Sequence, residues 1–292
     1  MTHAGPAQVG LIGVGEAGAA IGAGLREGGA VVTGFDARAD DPAVRARAEA
    51  AGLPLAGSVA ELVEHSQVLL CLTTAKAALL VARDCAPHLT ESHLYVDCNS
   101  ASPQLKRELA EVIGDSFTDA AIMAAVPPRR HQTPMLLSGP GAQALVAAVD
   151  GLGMDLTVLG PEPGQASAVK MFRSLLVKGL EALLLECAAG AQAYGVTEQV
   201  LGSMPGGLPM HDWNQLAAYL MTRTLAHGER RAEELRQVAG TLTECGVEPL
   251  LADAGARRLQ WLADLALPDG SASADYLQVL NALRETLKSP QP

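Results

Sequence analysis

The chain has 292 residues, enough for two domains at about 150 residues each, and 49% of them are apolar. With 18% charged residues and a net charge of −11, it is not composed like a disordered chain or a nucleic-acid binder, which needs a concentrated basic face. Five cysteines with no Cys-x-x-Cys pair and no Cys/His ligand spacing argue against a disulfide framework or a structural metal, and suit a reducing, cytoplasmic setting.

The segment Met1–Gln8 has neither a basic start nor an apolar run, so no signal peptide is expected. Val9–Ile12 then reads as a buried strand, followed by a Gly/Ala-rich helix from Glu16 to about Gly28 and a second strand, Val31–Phe35. Helical patterns follow at Pro42–Ala51 and at Ser58–His65, the latter capped by Ser58. The strand Val68–Leu72, the helix Ala75–Cys85, the strand Leu94–Asp97 and a helix opened by Ser102-Pro103 and ending at Ile113 continue the alternation. Ser116–Ala120 and Met135–Ser138 read as strands around an irregular loop, Pro127–Thr133. A helix, Gly141–Gly151, and a last strand, Asp155–Leu159, complete this half. The pattern predicts an α/β fold, a doubly wound parallel sheet over residues 1–160.

After Gly160 the strand signals stop. Gly164–Tyr194 reads as one long, mostly apolar helix; its apolar run Leu175–Leu185 is interrupted by Lys178 and Glu181, so that run is too short and too charged to span a bilayer. A Gly/Pro loop at Gly202–Pro209, a helix capped by Asp212 and running to about Leu225, and helices over Arg230–Cys245, Pro249–Leu265 and Ala274–Leu287 make residues 161–292 an all-helical domain.

The strongest local signal is Gly13-Val14-Gly15-Glu16-Ala17-Gly18, placed between the first strand and the first helix. Gly13 suits the tight turn, Gly15 lets backbone approach a pyrophosphate, and Gly18 lets the helix pack on the strand. The helix start then offers free N–H groups and its positive dipole end to the anion. Asp36 closes the second strand, placed to accept from a ribose hydroxyl, with Ala37 and Arg38 in the turn after it. The carboxylate favours NAD; Arg38, two residues on, leaves NADP open. Thr73 and Thr74 end another strand, where they would touch the cofactor or simply cap the strand end.

Four segments in order make the chain resemble the β-hydroxyacid dehydrogenases, the superfamily of 3-hydroxyisobutyrate and 6-phosphogluconate dehydrogenases. They are Gly10-Leu11-Ile12-Gly13-Val14-Gly15-Glu16-Ala17-Gly18; Asp97-Cys98-Asn99-Ser100-Ala101-Ser102-Pro103; Phe117-Thr118-Asp119 through Ala125; and Gly160 through Ser174. The later helices resemble a less characterised branch. The resemblance implies a nicotinamide cofactor, a homodimer with interlocking helical halves, and Lys170 as general acid/base. Two departures stand out: Met123-Ala124-Ala125 replaces the superfamily's Ser-Gly-Gly turn on the substrate carboxylate, and Ser174 replaces an asparagine.

The residues support the same chemistry independently. Only five lysines stand among 21 basic residues, and lysine, unlike arginine, can give up its proton. Lys170 in an apolar helix is therefore a candidate proton carrier, or else a lysine snorkelling at the helix start. Ser174 shares its helix face, to bond substrate or its own helix carbonyl. Asn99 and Ser100 follow a strand's carboxyl end, where ligands bind in such sheets, though both also serve turns. Met123 would line the substrate side. His227 and Arg230, three residues apart, would bind an anionic group or form a solvated face with Glu233 and Glu234. The expected activity is hydride transfer between nicotinamide and a hydroxyl or carbonyl of a small molecule. Imine reduction on the same fold and a non-catalytic dinucleotide sensor are the alternatives. Metal, membrane and nucleic-acid partners are not expected.

Overall fold

The computed structural model describes residues 5–173, 176, 180, 183, 191, 193–204, 213–244, 246–265, 281 and 285–286. The chain divides into two compact units, Met1–Leu175 and Leu176–Pro292.

The first unit is built on β1 (Gln8–Ile12), β2 (Val31–Phe35), β3 (Val68–Cys71), β4 (Leu94–Asp97), β5 (Phe117–Ile122), β6 (Met135–Ser138) and β7 (Leu156–Gly160). They form one sheet in the order β2-β1-β3-β4-β5-β6-β7. Helices α1 (Glu16–Glu27), α2 (Pro42–Ala50) and α6 (Ala142–Ala148) bring Ile21, Leu25, Val44 and Leu145 into a core with Val9, Leu11 and Leu70. Helices α3 (Val59–Glu64), α4 (Ala75–Cys85) and α5 (Pro103–Ile113) bring Leu62, Ala78 and Leu109 into a second core with Ile12, Leu69 and Tyr95. Alternate residues of each strand thus feed opposite layers, which is why β3 reads as a continuous apolar run.

Local signals account for the helix starts. Asp41, Ser58 and Ser102 each accept a hydrogen bond from a first-turn amide, and Pro42 and Pro103 stand at the first helical positions. The expected parallel sheet has one exception: β5 and β6 are antiparallel. The connection over residues 123–134 contains no crossover helix, and a parallel return needs one. From β6 to β7 the crossover through α6 restores the parallel pairing.

The domain boundary expected near residue 160 falls at 175 in the packing of the chain. The reason is that α7, helical over 165–173, is anchored to the sheet. Ala166 N–H donates to Ser138 Oγ at 3.0 Å and Ser167 N–H to Asp119 Oδ2 at 2.9 Å.

In the second unit α8 (Thr197–Ser203), which occupies the start of the expected Gly/Pro loop, precedes α9 (Trp213–Glu244) and α10 (Leu250–Asp264). The two helices expected on either side of residue 227 run together as α9, with a break in helical backbone at His227 (φ −142°, ψ 25°). Ala239 and Leu242 of α9 pack against Ala252 of α10. Ser174, Lys178, Glu181, His211, Asp212 and most of the helix expected at 274–287 lie outside the described residues. Among the described residues no helix is long and apolar enough to cross a membrane.

Candidate active site

The order β2-β1-β3 puts a reversal of strand order between β1 and β3, and ligands bind at the carboxyl ends of such strands. The Gly13–Gly18 loop leaves β1 there. Gly13 has φ +99°, and a Cβ on it would lie 2.6 Å from the Leu72 carbonyl oxygen. A Cβ on Gly18 would lie 2.1 Å from the Gly13 carbonyl oxygen. Both positions therefore require glycine. Above Gly15 the opposite holds: a Cβ there would meet nothing within 4 Å. Gly15 is also the N-cap of α1 and brings no side chain to the helix's first amides. The loop is a shaped cradle with open space over a helix start, which fits a pyrophosphate.

Asp36 binds this loop. Its Oδ2 accepts from Val14 N–H and its Oδ1 from Arg38 N–H, both at 2.9 Å. A carboxylate offers about four acceptor positions, so capacity remains for ribose hydroxyls. Ala37 and the Arg38 side chain are exposed beside it. Arg47, unmarked in the sequence reading, donates from Nη1 to the Val14 carbonyl at 3.2 Å and adds a cation at the loop.

A cleft of about 570 Å³ adjoins the loop. Ala17, Thr73, Thr74, Asn99, Ser100, Met123, Lys170 and Arg173 are among its lining residues. Seven of the expected site residues are thus brought together. Lys170 is half-buried and Ser100 exposed. The Thr74 hydroxyl caps α4 by accepting from Ala77 N–H at 3.3 Å, so that side chain is occupied structurally. Arg173, one turn beyond Lys170, donates from Nη1 to the Met123 carbonyl at 3.2 Å. It stands where the superfamily's Ser-Gly-Gly turn is missing. Cys98 also lines the cleft, but burial pushes its thiol pKa up, so it remains protonated and is no nucleophile. His227 and Arg230 are exposed residues of α9 in the second unit.

Beneath the cleft lies a buried ionic cluster that sequence reasoning did not find. Cys71, Asp97, Asp119 and Ser138 stand level on adjacent strands. Lys106 of α5 reaches down to them, with Nζ 2.5 Å from Asp97 Oδ1, 3.1 Å from Asp119 Oδ1 and 2.8 Å from the Asp97 carbonyl oxygen. All three side chains are wholly buried. Burial opposes the lysine's charge, but the two carboxylates outweigh it and hold its pKa above the ordinary value. Asn99 joins the cluster, donating from Nδ2 to Asp97 Oδ2 at 2.7 Å. The detectable signal was a pair of aspartates in otherwise apolar strands, since buried carboxylates need a cation.

A model for the NAD binding domain of 6-phosphogluconate dehydrogenase matches residues 8–126, and a domain of unknown function (DUF1932) matches residues 191–262. A conserved hypothetical protein from Sinorhizobium meliloti 1021, of known crystal structure, is 34% identical, with 96% of each chain covered and a TM-score of 0.62. The conserved protein MTH1747, described as structurally similar to 3-hydroxyacid dehydrogenases, is 30% identical over 87% of this chain and 97% of its own, also at a TM-score of 0.62. The chain belongs to the β-hydroxyacid dehydrogenase superfamily. An imine reductase from Myxococcus stipitatus, a V8 variant in complex with NAD+, shares the superfamily fold at 21% identity, with 97% of this chain and 99% of its own covered and a TM-score of 0.72.

As a member of this superfamily the protein binds NAD(P) and has the fold of a dehydrogenase or reductase. The Gly13–Gly18 backbone and Asp36 fit that cofactor by their geometry. Among the described residues no group of three or more His, Cys, Asp or Glu side chains is placed to hold a metal ion.

Proposed function

We propose that the protein transfers a hydride between a nicotinamide cofactor and the hydroxyl or carbonyl carbon of a small organic acid, with Lys170 as general acid/base. The observation that carries this reading is the single cleft in which Lys170 shares walls with Asn99, Ser100 and Met123 and with Ala17 of the phosphate-loop helix.

Nicotinamide, when bound, supplies or takes up the hydride. The Lys170 amine accepts the hydroxyl proton during oxidation, and its ammonium returns one to the carbonyl oxygen during reduction. Asn99 and Ser100 orient the substrate oxygen. Arg173 takes the substrate carboxylate, beside Met123. The charged side chains among the described cleft residues are Lys170 and Arg173. The Arg173 guanidinium, bordering Met123, favours an acid over the larger apolar alcohols that Met123-Ala124-Ala125 alone would suggest. The loop from Gly13 to Gly18 and Thr73 hold the cofactor, and Asp36 makes NAD the preferred form although Arg38 and Arg47 lie near.

Steady-state NAD(P)H formation tests this with a panel of 3-hydroxy acids, each paired with its amide, run with NAD+ and NADP+ in parallel. Acids should turn over, amides should lag well behind, and kcat/KM should be higher with NAD+. Equal rates for amides remove the role of Arg173, and equal or better use of NADP+ removes the cofactor preference. No turnover with any alcohol, together with reduction of a cyclic imine, moves the chemistry to imine reduction.

A homodimer belongs to the same proposal. Val169, Phe172, Leu176, Leu180 and Leu183 recur at spacings of three and four and are all exposed, Phe172 at 70%. An apolar stripe of that kind calls for a covering partner, assigned here to a second copy. Light scattering at micromolar concentration should report twice 30.1 kDa; a monomer alone would refute it.

A further inference from the structure

Each of the two carboxylates that Lys106 binds also holds a different wall of the cleft. Asp97 holds the first. Its Oδ2 accepts from Asn99 Nδ2 at 2.7 Å. A carboxylate only accepts, so the amide nitrogen of Asn99 must face it, and the carbonyl oxygen is the end Asn99 can present to the cleft.

Asp119 holds the second wall. Its Oδ2 accepts from Ser167 N–H at 2.9 Å and from Ser138 Oγ at 3.2 Å, and its Oδ1 from Ser167 Oγ at 2.7 Å. Ser138 Oγ in turn accepts from Ala166 N–H at 3.0 Å. These amides belong to the first turn of α7, where no intrahelical acceptor is available to them. Lys170 is the next turn of the same helix.

Lys106 completes the arrangement. Asp97 and Asp119 are direct neighbours on β4 and β5, and like charges so placed repel. The ammonium has three protons, and its three acceptors are Asp97 Oδ1, the Asp97 carbonyl and Asp119 Oδ1. The strands already pair through their backbones, so the cluster is not needed to join them. Its outward hydrogen bonds go to Asn99 and to α7.

We propose that Lys106 is a positioning residue that sets the two walls of the cleft: through Asp97 it fixes which end of Asn99 faces the substrate, and through Asp119 it fixes the first turn of the helix that carries Lys170. Its kinetic consequence rests on the oxidoreductase reading above; its structural consequence does not.

Asp119→Asn and Asp97→Asn test it, because each leaves Lys106 with one carboxylate and no unpaired buried charge. Hydrogen exchange is read by mass spectrometry over residues 165–173 of the full-length protein loaded with NADH. Asp119→Asn should speed exchange there about tenfold, the scale of one hydrogen bond, and Asp97→Asn should leave it unchanged. In turnover, Asp119→Asn should lower kcat about 10²-fold, the cost of a misplaced reacting group, with KM little changed. Asp97→Asn should instead raise KM about tenfold.

Unchanged exchange in Asp119→Asn overturns the proposal. So does a parallel change of kcat and KM in both variants that simply follows a lower melting temperature. Faster exchange in Asp119→Asn, when the parent protein turns over no substrate, supports the positioning role and removes the oxidoreductase reading instead. If Asp119→Asn does not fold, Ser167→Ala deletes only the hydroxyl bond to Asp119 and gives the same two readouts.

Discussion

Replacing Lys170 with alanine is expected to lower kcat by a factor of about 10² to 10⁴, the usual scale for a lost general acid/base. Cofactor affinity should stay within a few-fold, because the cradle for the pyrophosphate is the backbone of residues 13–18 on a different element. Lys170→Arg should recover little: guanidinium keeps the charge but does not exchange its proton. The pair of variants separates roles. Substantial activity in Lys170→Arg would make the residue an electrostatic or packing group and defeat the acid/base assignment. Loss of NADH binding in both, measured by fluorescence titration, would make it structural. A fall in kcat with KM unchanged is the pattern of an interaction made in the transition state.

Lys106→Met should have the largest effect on stability. The side chains are of similar length, so packing is nearly kept, but Asp97 and Asp119 are left as adjacent, wholly buried carboxylates with no cation. Breaking a buried ion pair by removing one partner costs about 3–5 kcal/mol. For a unit of this size that is a fall in melting temperature on the order of 10 °C. Calorimetry of the full chain measures it, with the triple variant Lys106→Met/Asp97→Asn/Asp119→Asn as control. Removing all three charges together should restore most of the loss, because replacing a buried ion cluster by neutral groups is often nearly neutral. A single variant as stable as the parent would mean that the carboxylates find water or another cation, and that the cluster is less closed than its distances indicate.

What could be read from the sequence follows from what each residue type must do alone. Gly13 and Gly18 are legible because the turn and the helix packing tolerate no side chain there, and that requirement is written in the residue itself. Asn99, Ser100 and Thr73 are legible because polar residues follow apolar runs at strand ends. The antiparallel β6 was not, since residues 123–134 contain enough chain for a crossover and only the fold reveals that they form none. Lys106 was hidden for a related reason. It sits in a helix close to the polar residues Gln104, Arg107 and Glu108, where a lysine ordinarily faces solvent. Its burial depends on Asp97 and Asp119 being level in adjacent strands, and register is not visible in either strand by itself. Arg173 is not marked by the sequence, in which Ser174 is the position that matches the superfamily; its contact to Met123 depends on how the loop after β5 folds back.

The anchoring of α7 to Asp119 and Ser138 ties the candidate site to one body. Lys170 and Arg173 are carried by the sheet unit, the same body as the phosphate loop, although they lie beyond the strands in sequence. A substitution in the helical half is therefore expected to leave the spacing between Lys170, the Gly13–Gly18 loop and Asn99 unchanged.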